Sequence, residues 1–437
     1  MPDREYDLVI FGATGFTGRL VAEQLAQRAP EGTRIALAAR SLAKLGAVRD
    51  ELPERAAQWP LLLADAADRA SLNHMARSAT AIVTTVGPYL RFGLPLVGAC
   101  AKAGTHYVDL TGEVPFMRAC IDAYHEQAAA SGARIVHACG FDSIPSDLGV
   151  LVLHEALGAL GQTTLVVESM KGGVSGGTLA SMRAIMEAAS SDPAVRTMLA
   201  DPYSLTPDRD AEPDRVAGEQ WPEERDLSGA LHDPDLGWLG PFVMAQANTR
   251  VVRRSNALAG YPYSLDFRYQ EAIGFGQGLA ARAKATGTGA GLGALTAAMG
   301  FGVTRAGAEK VLAKPGDGPS AEALASGHFR MAIHGRDADD QRWVARVAAK
   351  GDPGYAATAV MLAESALLVG LGDPALPDRA GVLTPATGLG MPLVERLRAA
   401  DFTFEVQRWE PPAATEAPDE DGAPQAQPAD GGEPSAV

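Results

Sequence analysis

The chain has 437 residues, 46% of them hydrophobic, and a formal charge of −15, a length that suits two globular cores better than one. The acid is concentrated: residues 201–235 hold eleven Asp or Glu against three Arg, and 409–437 hold seven against no base. The remainder is close to neutral, which argues against a nucleic-acid role, since that needs a clustered basic face, and the three cysteines, Cys100, Cys120 and Cys139, lack the C-x-x-C spacing of a zinc site or an even-numbered disulfide framework.

At the N-terminus there is no basic segment followed by an apolar one, and no stretch reaches the length of strongly apolar residues that spans a bilayer, so a cytoplasmic location is expected. The run Tyr6-Asp7-Leu8-Val9-Ile10-Phe11 reads as a strand, GATGFTG at 12–18 as a tight turn, and Arg19-Leu20-Val21-Ala22-Glu23-Gln24-Leu25 as a helix. That strand–turn–helix setting binds a dinucleotide pyrophosphate. Gly12 makes the turn, Gly15 lets backbone approach phosphate, and Gly18 lets helix press on strand, while Thr14, Phe16 and Thr17 complete the loop. The helix start then offers N–H groups to the anion. The spacing is GxxGxxG rather than the stricter GxGxxG, and a plain glycine-rich turn is the bland alternative.

A second strand is expected at 33–39. An NAD site usually places Asp or Glu at its end; here stand Arg40 and Ser41, with Lys44 a turn later. A guanidinium grips a 2′-phosphate that a carboxylate would repel, so the cofactor read from this position is NADP. Further strands are expected near 60–64, 80–86, 105–109 and 133–138, with helices near 42–51, 68–77, 93–103 and 115–131. Such alternation predicts a doubly wound parallel sheet of Rossmann type, with ligands at the carboxyl ends of the strands. Those ends carry Asp65, placed to meet an adenine amino group; Val86, Gly87 and Pro88, where backbone can lie against the cofactor, with Tyr89 next; the DLTGE run at 109–113; and GFDSIP at 140–145. In the last, Ser143 can cap a helix that Pro145 begins.

Beyond 150 the prolines at 202, 207, 213, 222, 234 and 241 predict a long acidic excursion or lid over 201–241 rather than regular structure, a flexible surface insert being the alternative. Residues 285–304 are uncharged with six glycines. They match a membrane span in length but not in hydropathy. A small-residue helix or loop packed closely in the second domain is expected, with peripheral contact to a membrane or a lipid-bearing partner as a second reading. The tail at 409–437 has almost nothing to bury and is expected to be disordered.

The first domain resembles the saccharopine dehydrogenase-like oxidoreductases in GATGFTG, in TTVGPY at 84–89, in ACAKAGTHYVDLTGE at 99–113 and in GFDSIPSDLG at 140–149. The segments GDPGYAATAVMLAESALLV at 351–369 and GVLTPATGLGMPLVERLRAADFTFEV at 381–406 are similar to the closing part of its trans-acting enoyl reductase branch, associated with actinobacterial lipid and polyketide assembly. The likeness covers roughly 1–185 and 340–406, with KGGVSGGTLAS at 171–181 distinctive in the middle. It implies an NADP-binding Rossmann domain over 1–150, an α+β substrate domain over 151–350, and a segment 351–400 that packs back on the first.

The activity so implied is NADPH-dependent reduction of a carbon–carbon double bond in an acyl or polyketide chain held by a carrier or synthase, with 201–235 closing over the acyl end. Tyr89, Asp142, Ser143 and the N–H groups after Pro145 are the candidate catalytic groups. A reductase of imines or amino-acid adducts is a rival, for which Arg183, Arg250, Arg253, Arg254 and Arg268 would have to converge; a non-catalytic NADP-binding sensor is another. No tyrosine has Lys four residues on, and HExxH, GxSxG and GxxxxGK[ST] are absent. Short-chain dehydrogenase, zinc protease, serine hydrolase and phosphate-loop chemistry are thereby set aside. No metal site is expected, the strand histidines His106 and His137 read as core residues, His125 and His154 lie in helices, and self-association is left open.

Overall fold

The computed structural model describes residues 4–173, 175–207, 225–300, 318–337 and 339–410. Strands and helices alternate from the start: β1 (Tyr6–Phe11), α1 (Phe16–Arg28), β2 (Ile35–Ala39), α2 (Leu42–Glu51), β3 (Leu61–Leu63) and α3 (Arg69–Ser78). They continue with β4 (Ala79–Thr84), α4 (Tyr89–Phe92), α5 (Leu94–Ala103), β5 (His106–Asp109), α6 (Val114–Ser131) and β6 (Arg134–Val136). Each strand lies within the span its sequence predicts or within two residues of it. The strands are short apolar runs because both faces of a parallel sheet are covered by crossover helices. All five residues of β2 are buried. Local chemistry ends the loops: Asp68 accepts from the amides of Ala70 and Ser71 and so caps α3.

The first sheet runs β13-β6-β5-β4-β1-β2-β3, every neighbouring pair parallel. Its outermost strand, β13 (Gly381–Leu383), comes from far down the chain, pairing Val382 with Ile135. From β6 the chain enters α7 (Ile144–Leu157), then β7 (Gln162–Lys171), α8 (Gly176–Ser191) and α9 (Pro193–Ala200). It goes on through β8 (Leu231–Asp233), β9 (Gly237–Pro241), α10 (Ala245–Leu258), β10 (Arg268–Gly274), α11 (Leu279–Gly300), β11 (His328–Arg336) and β12 (Arg342–Lys350), and β14 (Thr403–Arg408) closes the last sheet. That sheet is mixed, in the order β14-β12-β11-β7-β10-β9-β8, with β10 parallel to β7. The residues after 350 are shared, β13 joining the first sheet and β14 the second.

One apolar cluster runs through both halves, from Leu8 and Ile10 through Leu148, Ile333 and Leu362 to Phe404. α7 carries it across, because it leaves the first sheet and packs beneath β11, β12 and β14. Among the described residues one helical stretch, Pro353–Leu371, is long and apolar enough to cross a membrane, and 78% of it is buried within the fold. It lies against α1, β1, β4 and β5.

Two expectations are corrected. The excursion at 201–241 is not irregular throughout: β8 and β9 form a hairpin on the edge of the second sheet. Asp233 makes its turn by accepting from the amides of Asp235 and Leu236, at 2.8 and 2.9 Å. Residues 208–224 of the excursion lie outside the described residues, as do 411–437 of the tail and 301–304 of the glycine-rich run. That run does continue a helix, but among the described residues it packs on one face only, where a Cβ on Gly289 would lie 3.3 Å from Gly229 Cα. On α11 Ala281 and Ala285 are buried, whereas Thr286, Gly287, Ala290, Gly291, Gly293 and Ala294 are exposed. Side chains this small reach too little neighbouring surface for burial to draw the helix inward.

Candidate functional site

Gly12 follows β1 with φ +97°, a conformation that disfavours a side chain. Its amide donates to the Ala38 carbonyl at 2.9 Å, and the Gly15 amide donates back to the Gly12 carbonyl at 3.0 Å, so the turn is closed on itself. A Cβ on Gly18 would lie 2.2 Å from that carbonyl oxygen and 2.9 Å from Thr85 Oγ1. The strand and the helix meet at backbone contact. No side chain caps α1; its first-turn N–H groups have no intrahelical partner, and Gly15, Phe16, Thr17 and Gly18 line a cavity of about 850 Å³.

This cavity lies between the two sheets. The first half contributes Thr85, Gly87, Pro88, Leu110, Gly112, Gly140, Phe141 and Asp142. The second contributes an apolar wall: Met182, Ile185 and Met186 from α8, Val243 and Met244 before α10, and Leu292 from α11. Among its described lining residues there is no Lys or Arg, and the only carboxylates are Asp142 and Asp226.

Asp142 follows Gly140 and Phe141 in the turn between β6 and α7, and its carboxyl oxygen would stand 3.1 Å from a Cβ on Gly112. Burial pushes it from the ordinary carboxylate range up to about 7. Asp226 differs: it accepts from Thr249 Oγ1 at 2.8 Å and from the Arg250 guanidinium at 2.7 Å.

The other two expected catalytic side chains turn away. Tyr89 borders the cavity, but its hydroxyl donates inward to the Thr84 carbonyl at 3.0 Å and its ring stacks on Phe116 with centroids 5.6 Å apart. Burial, with Asp109 nearby, raises it well above the usual phenol range, which makes it a poor proton donor. Ser143 is fully buried, donates to Asn248 Oδ1 at 3.1 Å, and makes no side-chain cap of α7. α7 enters the core between the sheets, so Ser146 and Asp147 after Pro145 are fully buried and do not line the cavity.

The expected adenosine-side residues stand along the same edge of the sheet. Arg40 is exposed directly after β2, and Ser41 caps α2 by accepting from the Lys44 amide at 3.3 Å. Asp65 follows β3 and accepts from the Ala67 amide at 3.0 Å. Thr14 and Val86 flank the glycine turn half-buried, the Val86 amide donating to Thr84 Oγ1 at 3.2 Å. None of these six lines the cavity; they stand beside β1 on the side of β2 and β3, or next to the turn.

The five arginines of the second half do not converge there either. Arg250 donates to the carbonyls of Leu199, Asp201 and Gln246 and to Asp226. Arg253 holds the carbonyls of Pro202 and Tyr269, Arg254 those of Leu205 and Val382, and Arg183 pairs with Glu187. The first three tie residues 199–205 to α10. Arg268 starts β10 and is likewise outside the lining. The histidines serve the fold: His106 accepts from the Arg134 amide, and His137 Nδ1 lies 2.8 Å from Asp109 Oδ2.

Sequence reasoning missed three parts of the site. Tyr355 lines the cavity, meets Phe16 edge-on at 5.0 Å, and accepts from the Gly176 amide at 3.2 Å. Asp352 accepts from the Gly173 amide at 2.9 Å, so GDPGY at 351–355 docks on KGGVSGGTLAS. Glu113, in the DLTGE run, is fully buried and receives donors from two directions. An acid following a strand end was the available signal for it.

The family model for the saccharopine dehydrogenase NADP-binding domain matches residues 8–136. A trans-acting enoyl reductase of Mycobacterium tuberculosis is 46% identical over 422 residues, covering 93% of this chain and 99% of its own. Another, from Mycobacterium ulcerans, is 46% identical over 408 residues, covering 90% and 96%. Among solved structures, the L-glutamate-forming saccharopine dehydrogenase of Saccharomyces cerevisiae superposes with a TM-score of 0.52 over 92% of this chain and 99% of its own, at 12% identity. That last likeness concerns the fold.

Proposed function

This chain belongs to the saccharopine dehydrogenase-like oxidoreductases, in the branch of the trans-acting enoyl reductases, and on that premise we propose that it uses NADPH to saturate a carbon–carbon double bond conjugated to an acyl thioester. The observation that carries this reading is the cavity itself. A pyrophosphate-type turn, a carboxyl pushed up to about 7 and an apolar wall with no cation among its described lining residues meet in one space. An alkyl chain matches such a wall; a substrate with several carboxylates would need cations that the described lining does not supply.

The glycine turn fits the cofactor, because the absence of a Cβ on Gly18 lets α1 start in backbone contact with the turn after β1 and the uncapped N–H groups at that start suit a pyrophosphate. Gly12, Thr14, Gly15, Phe16, Thr17 and Gly18 would hold it there. Arg40, with Ser41 and Lys44, would hold the 2′-phosphate, Asp65 the adenine, and Val86, Gly87 and Pro88 would lie against the cofactor. When bound, NADPH supplies hydride to the β-carbon. Asp142, neutral below about pH 7, then donates its proton to the α-carbon and is left as the carboxylate, to be reprotonated from solvent. Met182, Met186 and Met244 are adaptable walls for the chain, which we place on a carrier or synthase, with the described flanks of the acidic excursion, including Leu227 and Ser228, closing one side.

The test is NADPH consumption with 2-enoyl thioesters of increasing chain length, the saturated product identified by mass. A mixture of a 2-oxo acid and an amino acid serves as the rival. Oxidation with the enoyl series supports the proposal. Oxidation with the rival alone transfers the chain to imine reduction, and tight NADPH binding without oxidation by either makes it a sensor.

A further inference from the structure

We propose that Glu113 is a positioning residue that fixes the cofactor-side turn 87–90 to the substrate-side helix α8. The inference rests on the reading of the cavity just given. Glu113 stands four residues beyond the end of β5, is fully buried and does not line the cavity. Its Oε1 accepts from the Tyr89 amide at 2.8 Å and its Oε2 from the Leu90 amide at 2.7 Å. The Ser181 hydroxyl of α8 donates to the same Oε1 at 2.5 Å. Two neighbouring backbone groups of the first half and one side chain of the second therefore share one carboxylate.

Among the described residues no cation pairs with Glu113. A buried carboxylate without a cation carries a desolvation cost that no counter-charge offsets, so its three hydrogen bonds must do so. What three convergent donors do provide is a fixed relative position. Both groups of donors sit among residues that form the cavity: Gly87 and Pro88 immediately before Tyr89, and Thr178 and Met182 around Ser181. An ion pair that also crosses this seam, Arg91 with Glu187, is at the surface, with both side chains more than a quarter exposed. It is correspondingly weak as a constraint. Glu113 is thus an interior tie between the surface that would carry the cofactor and the wall that would carry the acyl chain, where a misplacement of about 1 Å costs about a hundredfold in rate.

The experiment compares Glu113→Gln, Ser181→Ala and the double variant in the full chain. Glu113→Gln keeps the shape but turns one acceptor into a donor that faces another donor. In the cofactor-free protein it should accelerate hydrogen exchange at the Tyr89 and Leu90 amides at least tenfold, whereas Ser181→Ala should leave that exchange unchanged. In turnover, kcat should fall about a hundredfold for Glu113→Gln and about tenfold for Ser181→Ala, with KM for the thioester changing less than threefold. The double variant should be no slower than Glu113→Gln, because Ser181 acts through Glu113. Multiplying effects in the double variant would make Ser181 an independent substrate contact and overturn the proposal, as would unchanged exchange in Glu113→Gln. If Glu113→Gln does not fold, Ser181→Ala decides: a wild-type kcat refutes the tie. A wild-type protein that neither binds NADPH nor reduces enoyl thioesters refutes the functional reading, and the exchange measurement then still judges the contact.

Discussion

Replacing Gly18 by Ala tests the glycine turn with a single methyl group. The added Cβ would stand 2.2 Å from the Gly12 carbonyl oxygen, 2.8 Å from its carbon and 2.9 Å from Thr85 Oγ1. Two of these neighbours are backbone, so no rotamer change relieves the contact. Restoring ordinary van der Waals separation moves helix and strand apart by roughly 1 Å, a displacement that costs about a hundredfold in a positioned site. Overpacking of this kind also destabilises by about 1–3 kcal/mol. Calorimetric titration should show NADPH binding weakened ten- to a hundredfold, about 1.4–2.8 kcal/mol. The control is Gly46, inside α2, where a Cβ meets nothing within 4 Å. Gly46→Ala should leave NADPH affinity unchanged and raise stability by about 0.5–1 kcal/mol, the usual helix preference for Ala. A Gly18→Ala protein that binds NADPH as tightly as wild type would refute the assignment of this turn to the pyrophosphate.

Arg40→Asp should weaken NADPH by about a hundredfold, the scale of lost charge-assisted hydrogen bonds, and NADH by less than twofold; equal losses in parallel titrations would remove Arg40 from the 2′-phosphate. Because the Asp142 carboxyl is pushed up to about 7 and on the proposed mechanism acts in its neutral form, wild-type kcat should decline as pH rises through that value. Asp142→Asn should lower kcat by about 10²–10⁴ and flatten the profile, and a retained limb in the variant's pH–rate curve would assign the proton to another group. Arg254, lowered to about 9 by burial, donates to the Leu205 and Val382 carbonyls at 2.6 and 2.7 Å. Arg254→Met would strand both and should cost about 3 kcal/mol in denaturant unfolding; a loss under about 1 kcal/mol would mean that those carbonyls find other partners.

What could be read in advance was what is local. β1, the glycine turn and α1 are contiguous, and each strand of the first sheet up to β6 announced itself as an apolar run between turn residues. Asp142 was legible for the same reason, standing two residues past Gly140 at a strand end. The directions of Tyr89 and Ser143 were not, because Tyr89 is drawn inward by Phe116 and Ser143 by Asn248, residues brought in by other elements. Glu113 could be seen as an acid after β5, but its purpose depends on Ser181, 68 positions later. β13, only three residues long, carries no periodicity of its own and is fixed by its pairing with β6.

The late arrival of β13 and β14 has a consequence for synthesis. While the ribosome is still making residue 380, β6 is an open edge of the first sheet and β12 an open edge of the second. Unpaired parallel and mixed edges template aggregation. Neither half can complete its pairing until the last described thirty residues have emerged, so a chain cut at residue 350 should not yield two soluble halves. The exposed edges of β6 and β12 are closed only when these last two strands dock.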